Sequence, residues 1–210
     1  MKKVFLLLLV VIGFHATGYS QMGLQIGWNT SGYRYVIGGV HETRGWNWGF
    51  NGGLLFRTPG KRICFQPTLL YTQKGATNNN DGATYTVGVN KYVNKLNYVE
   101  FSVPILFKAP FAGPKNSFDI GIGPYAAKLV SAYSKIKYLD GTDKNSNFKV
   151  GNGSKNDFTP LDFGLSFYMG ARFTHFFMSL GYDKGISNVD PRSGESIKNG
   201  CFNINMGVLF

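Results

Sequence analysis

Apolar and polar residues alternate with a period of two along eight stretches of this chain, and no other feature restricts the fold so tightly. The second stretch shows it clearly: Trp46, Trp48, Phe50, Leu54 and Phe56 share one face, and Asn47, Gly49, Asn51, Gly53 and Arg57 the other. Val99, Phe101, Val103, Ile105 and Phe107 likewise oppose Glu100, Ser102, Pro104 and Lys108. Leu161, Phe163, Leu165, Phe167, Met169, Ala171 and Phe173 oppose Asp162, Gly164, Ser166, Tyr168, Gly170 and Arg172. The last nine residues repeat the pattern, with Phe202, Ile204, Met206, Val208 and Phe210 on one side. A terminal strand closing on an aromatic residue is the usual end of an outer-membrane β-barrel. The stretches 22–30, 46–57, 62–74, 92–108, 117–130, 161–173, 176–184 and 201–210 are therefore expected to be strands.

The connections alternate in length. Residues 31–45, 75–91, 131–160 and 185–200 read as long polar loops, and 58–61, 109–116 and Thr174–His175 as short turns. Long loops thus gather at one rim and short turns at the other, with both termini on the short-turn, periplasmic side. A two-residue turn at Thr174–His175 pairs Phe173 with Phe176 and Arg172 with Phe177, so one apolar face continues through Phe176, Met178, Leu180 and Tyr182.

A soluble barrel would alternate too, so the identity of the outward face decides between them. The polar face is poor in Lys and Glu and rich in glycine, including Gly27, Gly49, Gly53, Gly121, Gly123, Gly164, Gly170 and Gly207. A narrow interior fed by every strand needs such residues, whereas a water-facing exterior does not. The apolar face is accordingly read as facing lipid. The expected fold is all-β: an eight-stranded, antiparallel, up-and-down transmembrane β-barrel over residues 21–210. Trp28, Trp46, Tyr71, Tyr92, Phe173 and Tyr182 are candidates for its interfacial aromatic girdles.

Residues 1–20 read as a secretory signal peptide: Lys2 and Lys3, then the apolar run Val4–Phe14, then a cut after Ser20 with Gly18 three residues before the cleaved bond. That run falls short of the ~18 residues a spanning helix needs, and no later segment reaches that length. Gln21 would be the mature N-terminus, and with no Cys at the cut no lipid anchor is expected. The destination is the outer membrane of a Gram-negative-type cell. The net charge of +11 includes Lys2 and Lys3, and the remaining +9 suits anionic lipid headgroups or lipopolysaccharide phosphates. Nucleic acid is not expected, because the basic residues are dispersed and carry no recognition motif. Cys64 and Cys201 fall near opposite ends of the barrel and are read as free buried thiols, despite the oxidising compartment.

The interior is expected to hold Arg62, Gln66, Lys74, Glu100, Lys108, Asp119, Asp162, Tyr168, Arg172 and Asp183. Charges in a cramped lumen are costly unless paired, so a structural salt-bridge network is predicted, with Lys108 beside Asp119 across the 109–116 hairpin. No enzyme, cofactor or metal site is read from the chain. His15 lies in the signal peptide, while His41 and His175 lie at opposite rims, so no His–Ser or His–Cys constellation forms. Asn78–Gly82 lacks the spaced carboxylates of a calcium loop. Lys135, Lys137, Lys144, Lys149 and Lys155 in the third loop are read as a solvated, charged loop.

Four segments resemble the PorT-like outer-membrane β-barrel protein family: Tyr98–Lys108, Gly121–Pro124, Gly181–Val189 and the terminal strand, together with the signal peptide. The resemblance implies a barrel without a defined activity, and its founding member a secretion system. The expected function is therefore a non-enzymatic outer-membrane barrel, a structural or accessory component of envelope assembly or protein export. Loop or turn contacts with an envelope or secretion complex would carry that role. The alternative is a narrow pore, or a barrel binding a small solute or lipid.

Overall fold

The computed structural model describes residues 21–37, 40–79, 88–111, 113, 116–192 and 196–210. The signal-peptide reading of 1–20, His15, and Asn80–Gly82 of the second loop lie outside the described residues. In chain order the strands are β1 (Gln21–Ile37), β2 (Val40–Arg57), β3 (Ile63–Phe65), β4 (Thr68–Asn79), β5 (Val89–Ser102), β6 (Ile105–Pro110), β7 (Asn116–Tyr138), β8 (Asp143–Asn147), β9 (Leu161–Phe173), β10 (Phe176–Gly185) and β11 (Ser196–Leu209).

Eight of these close a ring. β1 pairs with β2, then β4, β5, β7, β9, β10 and β11 follow, and β11 returns to β1, every pairing antiparallel. The closing seam runs from Gly23↔Leu209 to Val36↔Ser196 without a register shift. β3 and β6 continue β4 and β5 toward the short-turn rim, beyond interruptions at Pro67 and Pro104. Proline has no N–H to donate, so each of these two stretches divides there into two strand segments. The ladder nevertheless carries on, because Phe56 N–H donates to the Pro67 carbonyl (2.8 Å) and Gln66 N–H to the Pro104 carbonyl (3.0 Å).

At the β9–β10 turn Phe173 faces Phe176 and Arg172 faces Phe177, the register expected from a two-residue connection. Thr174 has φ 54°, the left-handed geometry that such a tight hairpin requires. The outer surface carries the apolar face of each strand: Ile26, Trp48, Phe101, Ile120, Met169 and Leu180 are all exposed.

The expected long loops are largely strand. β1 and β2 run on to pair Ile37 with Val40, β4 and β5 pair as far as Asn79 and Lys91, and β7 pairs with both β5 and β8 above the ring. At roughly 3.3 Å per residue, about 10 tilted residues cross a bilayer. The 23 residues of β7 therefore project well past it. Tyr92, Val93, Tyr133, Ile136 and Tyr138 favour extension, and pairing satisfies backbone groups that a loose loop would leave to water. Tyr92 is consequently no girdle residue. It is half-buried far up β5, seven residues from Val99, the last large apolar side chain that β5 exposes at that end.

Interior glycines answer to crowding by large inward side chains on the neighbouring strand. A Cβ at Gly207 would lie 2.6 Å from two ring carbons of Phe177 and against the Leu24 carbonyl, and one at Gly164 would lie 2.8 Å from the Tyr125 ring. Gly207→Val is expected to cost about 3 kcal/mol or more, as overpacking against backbone does. A reduced heat-modifiable fraction after refolding into detergent, with partial recovery in Gly207→Val/Phe177→Ala, is the outcome to look for.

Candidate functional site

The lumen is filled in layers. At the short-turn rim, Leu55, Phe177 and Leu209 form an apolar plug, each at most 1% exposed. Toward the same rim the guanidinium of Arg57, the last residue of β2, donates Nη1 to Asp119 (2.8 Å) and Nε to the Gln66 side-chain oxygen (3.0 Å). Arg172 donates to Gln21 (2.9 Å) in the same region. Next comes a cavity of about 50 Å³, room for a few waters, bordered by Gln25, Gln66, Glu100, Ser166, Asp183 and Asn205.

Over the cavity sits Lys74, fully buried. Its ammonium is 2.6 Å from Glu100, 3.8 Å from Asp162 and 4.0 Å from Asp183. It also lies 4.4 Å from the centroid of the Tyr125 ring and 5.7 Å from that of Tyr98, both within cation–π range. Neutral donors hold the carboxylates that Lys74 reaches less closely. Ser187 Oγ (2.8 Å), Asn199 Nδ2 (2.8 Å) and Tyr125 Oη (3.2 Å) donate to Asp162, while Ser166 Oγ (2.5 Å) and Asn203 Nδ2 (3.0 Å) donate to Asp183. Above this cluster Tyr33, Leu96, Leu129, Phe158, Val189 and Ile197 pack into an apolar cap at the long-loop end.

In the fourth loop, next to the cap residue Val189, Arg192 donates Nε (2.8 Å) and Nη2 (2.6 Å) to Asp190. Burial pushes the Asp190 carboxyl upward, but these Arg192 bonds outweigh it and hold the group below its usual range.

Glu100, Asp119, Asp162 and Arg172 all point into the lumen, and one residue expected there, Arg62, does not. Arg62 is exposed in the turn before β3, and Arg57 occupies the interior position. Arg57 ends β2 on its inward face, whereas Arg62 belongs to a turn whose conformation the alternation does not govern. Lys108 faces Asp119 in the β6–β7 register, yet the Asp119 ion pair is made by Arg57, and Lys108 is only half-buried. Arg57 was legible as a member of the polar face of its strand. Nothing along that strand alone announced Asp119, 62 residues away, as its partner.

Of the aromatics, Trp28 (56%), Trp46 (48%), Tyr71 (40%) and Phe173 (50%) are exposed on the outer face, and Tyr182 is partly covered by Phe202, with ring centroids 4.5 Å apart. Trp46 joins that cluster, 5.7 Å from Phe202. Phe173 packs at the opposite end on Phe111, at 5.7 Å.

Chemically, the described side chains of the lumen pair charges with one another. His175 Nδ1 lies 3.0 Å from the Leu209 carbonyl at the short-turn rim, remote from the Lys74 cluster. Among the described residues no three His, Cys, Asp or Glu side chains converge as metal ligands. Cys64 and Cys201 are buried free thiols.

A closed antiparallel ring with an apolar exterior and a paired polar interior defines a transmembrane β-barrel. The family described as the outer membrane protein beta-barrel domain matches residues 8–190, and the chain belongs to it. This makes it a barrel of the Gram-negative outer membrane. No curated protein matches the chain. Among solved structures it is similar to Neisserial surface protein A, with 13% identity over 91% of this chain and 99% of that one, at a TM-score of 0.45. It is also similar to Ail, the attachment invasion locus protein of Yersinia pestis, with 13% identity, the same coverages and a TM-score of 0.43. A third is the N-terminal β-barrel domain of Pseudomonas aeruginosa OprF, with 11% identity over 91% of this chain and 100% of that one, and a TM-score of 0.34.

Lys74→Met leaves three carboxylates around a site with no cation, and a loss of about 3–5 kcal/mol is expected, as when any buried ion pair is broken from one side. Adding Glu100→Gln should recover part of that loss. Urea unfolding from lipid vesicles, run as a double-mutant cycle, measures both.

Proposed function

We propose that this barrel is non-enzymatic and serves as a structural or accessory component of the envelope, engaging a partner in envelope assembly or protein export through its extramembrane surface. The observation that carries this reading is the filled lumen. An apolar plug, two charge clusters and an apolar cap occupy the lumen, so conduction would require packed side chains to move.

What remains for recognition is the ordered platform above the ring. Its β7–β8 hairpin presents β8 with all five residues exposed, and among the described residues β8 pairs with β7 alone. The other edge of β8 offers unpaired backbone groups to an incoming extended segment, a common mode of peptide capture. The sequence resemblance to PorT-like proteins supports an export-linked partner over a purely structural one.

The purified barrel should give no conductance above background in planar bilayers. A tag inserted after Ser154, with extraction in mild detergent, should recover a stoichiometric envelope or export complex, and a photo-crosslinker at Asn145 should capture a component of that same complex. A lone barrel with steady channel activity would count decisively for the pore instead.

A further inference from the structure

A second charged feature faces outward. On β1 the outward positions climb through Trp28 and Thr30 to Gly32 and Arg34; on β11 they pass from Phe202 through Gly200 to Lys198; on β10 they pass from Tyr182 to Lys184. Arg34 lies directly opposite Lys198, and Lys184 lies beside Gly200, which in turn lies beside Gly32. Three cations thus crowd onto three adjacent strands, one or two outward positions above the Trp46, Tyr182 and Phe202 aromatic cluster.

Like charges directly opposite in a sheet repel, and none of the ion pairs among the described side chains involves any of the three. Arg34 reaches across β11 and donates Nη2 to the Gly185 carbonyl (2.8 Å), which sets its guanidinium next to Lys184. Its Nε is buried without an acceptor. Gly32 and Gly200, which lie between these side chains, contribute none of their own, and both are covered by their neighbours. A Cβ at Gly200 would meet only the Tyr182 hydroxyl at 3.3 Å and the Gly32 carbonyl at 3.9 Å.

We propose that Arg34, Lys184 and Lys198 form a binding site for the phosphate of a phosphorylated glycolipid in the outer leaflet, the chemistry of lipid A, with the phosphate held among their charged ends. The site lies where such a phosphate lies, just above the apolar band and its aromatic girdle. Arg34 supplies planar, charge-assisted donors, the two lysines add point charges, and the Tyr182 hydroxyl is at hand for a further hydrogen bond. The acyl chains of the same lipid would run down the apolar surface of β10 and β11, over Leu180 and Ile204, both half-exposed. This assignment rests on the outer-membrane placement and stands apart from the partner proposed for the β7–β8 hairpin.

Bisphosphorylated lipid A titrated into the barrel in neutral detergent and followed by native mass spectrometry tests it. The triple variant Arg34→Gln/Lys184→Gln/Lys198→Gln should bind at least tenfold more weakly. Enzymatically dephosphorylated lipid A should bind the wild type at the level of that variant. A second triple, Lys91→Gln/Lys149→Gln/Lys155→Gln, removes the same charge elsewhere on the extramembrane surface and should bind as the wild type does. Heat-modifiable migration verifies that each variant is folded. An equal loss in both triples would assign the attraction to diffuse charge and overturn the site, and equal binding of the dephosphorylated lipid would overturn the phosphate.

Discussion

In hydrocarbon no water is available to accept or donate a hydrogen bond, so every backbone group in the membrane layer must find its partner in the chain. The β1–β11 seam is the interaction that meets this demand, since without it β1 and β11 would each present an open edge to lipid. Its register is continuous from Gly23 to Val36. The ring tolerates Pro67 and Pro104 for the same reason: their carbonyls still accept ladder bonds, so each site gives up only the donor that proline never had.

Closure at eight strands then dictates the interior. Side chains from the whole ring converge on one narrow axis, which is why large residues sit against glycine, as Phe177 does against Gly207 and Tyr125 against Gly164. Any charge admitted there loses its water and must be compensated by neighbours. The two clusters solve this in inverse ways. Toward the short-turn rim one carboxylate, Asp119, meets Arg57, with Arg172 and Lys108 nearby. Toward the long-loop rim one ammonium, Lys74, serves three carboxylates, two of which depend largely on Ser, Asn and Tyr donors. The small cavity lies between the clusters and is bordered by Gln66 of the first and by Glu100 and Asp183 of the second.

The period of two made the faces of the strands readable, and the length of the Thr174–His175 turn made one register readable to the residue. Both are properties of neighbouring segments. Pairings across the lumen are of another kind, because which inward residues meet depends on how far successive strands are staggered around the ring. Arg57 illustrates the limit: its inward direction followed from alternation, but its contact with Asp119 followed from the placement of β7 relative to β2. The extramembrane strands were missed for a related reason. Gly, Asn, Ser and Lys in 131–160 have the composition of a loop, yet β7 offers a template edge, and pairing with it extends Asp143–Asn147 into β8. Tyr92 was read as the first residue of its strand, whereas β5 begins three residues earlier, at Val89.

A barrel whose interior is consumed by its own packing has only its outer surfaces left for interaction. Crossing the membrane would take about 10 residues per strand, and β10 has just 10 residues, whereas β7 has 23. The surplus does not serve insertion. It builds a sheet above the bilayer, capped internally by Phe158 and Val189, so this surface has a core of its own and holds its shape. Excess positive charge is carried on that same side, in Lys91, Lys128, Lys184 and Lys198 among others, while the buried carboxylates below it stay compensated by Lys74 and neutral donors. Rigid backbone edges and outward cations are thus concentrated where outer-leaflet headgroups and extracellular partners are met, and the lumen beneath supplies the stiffness that keeps them in place.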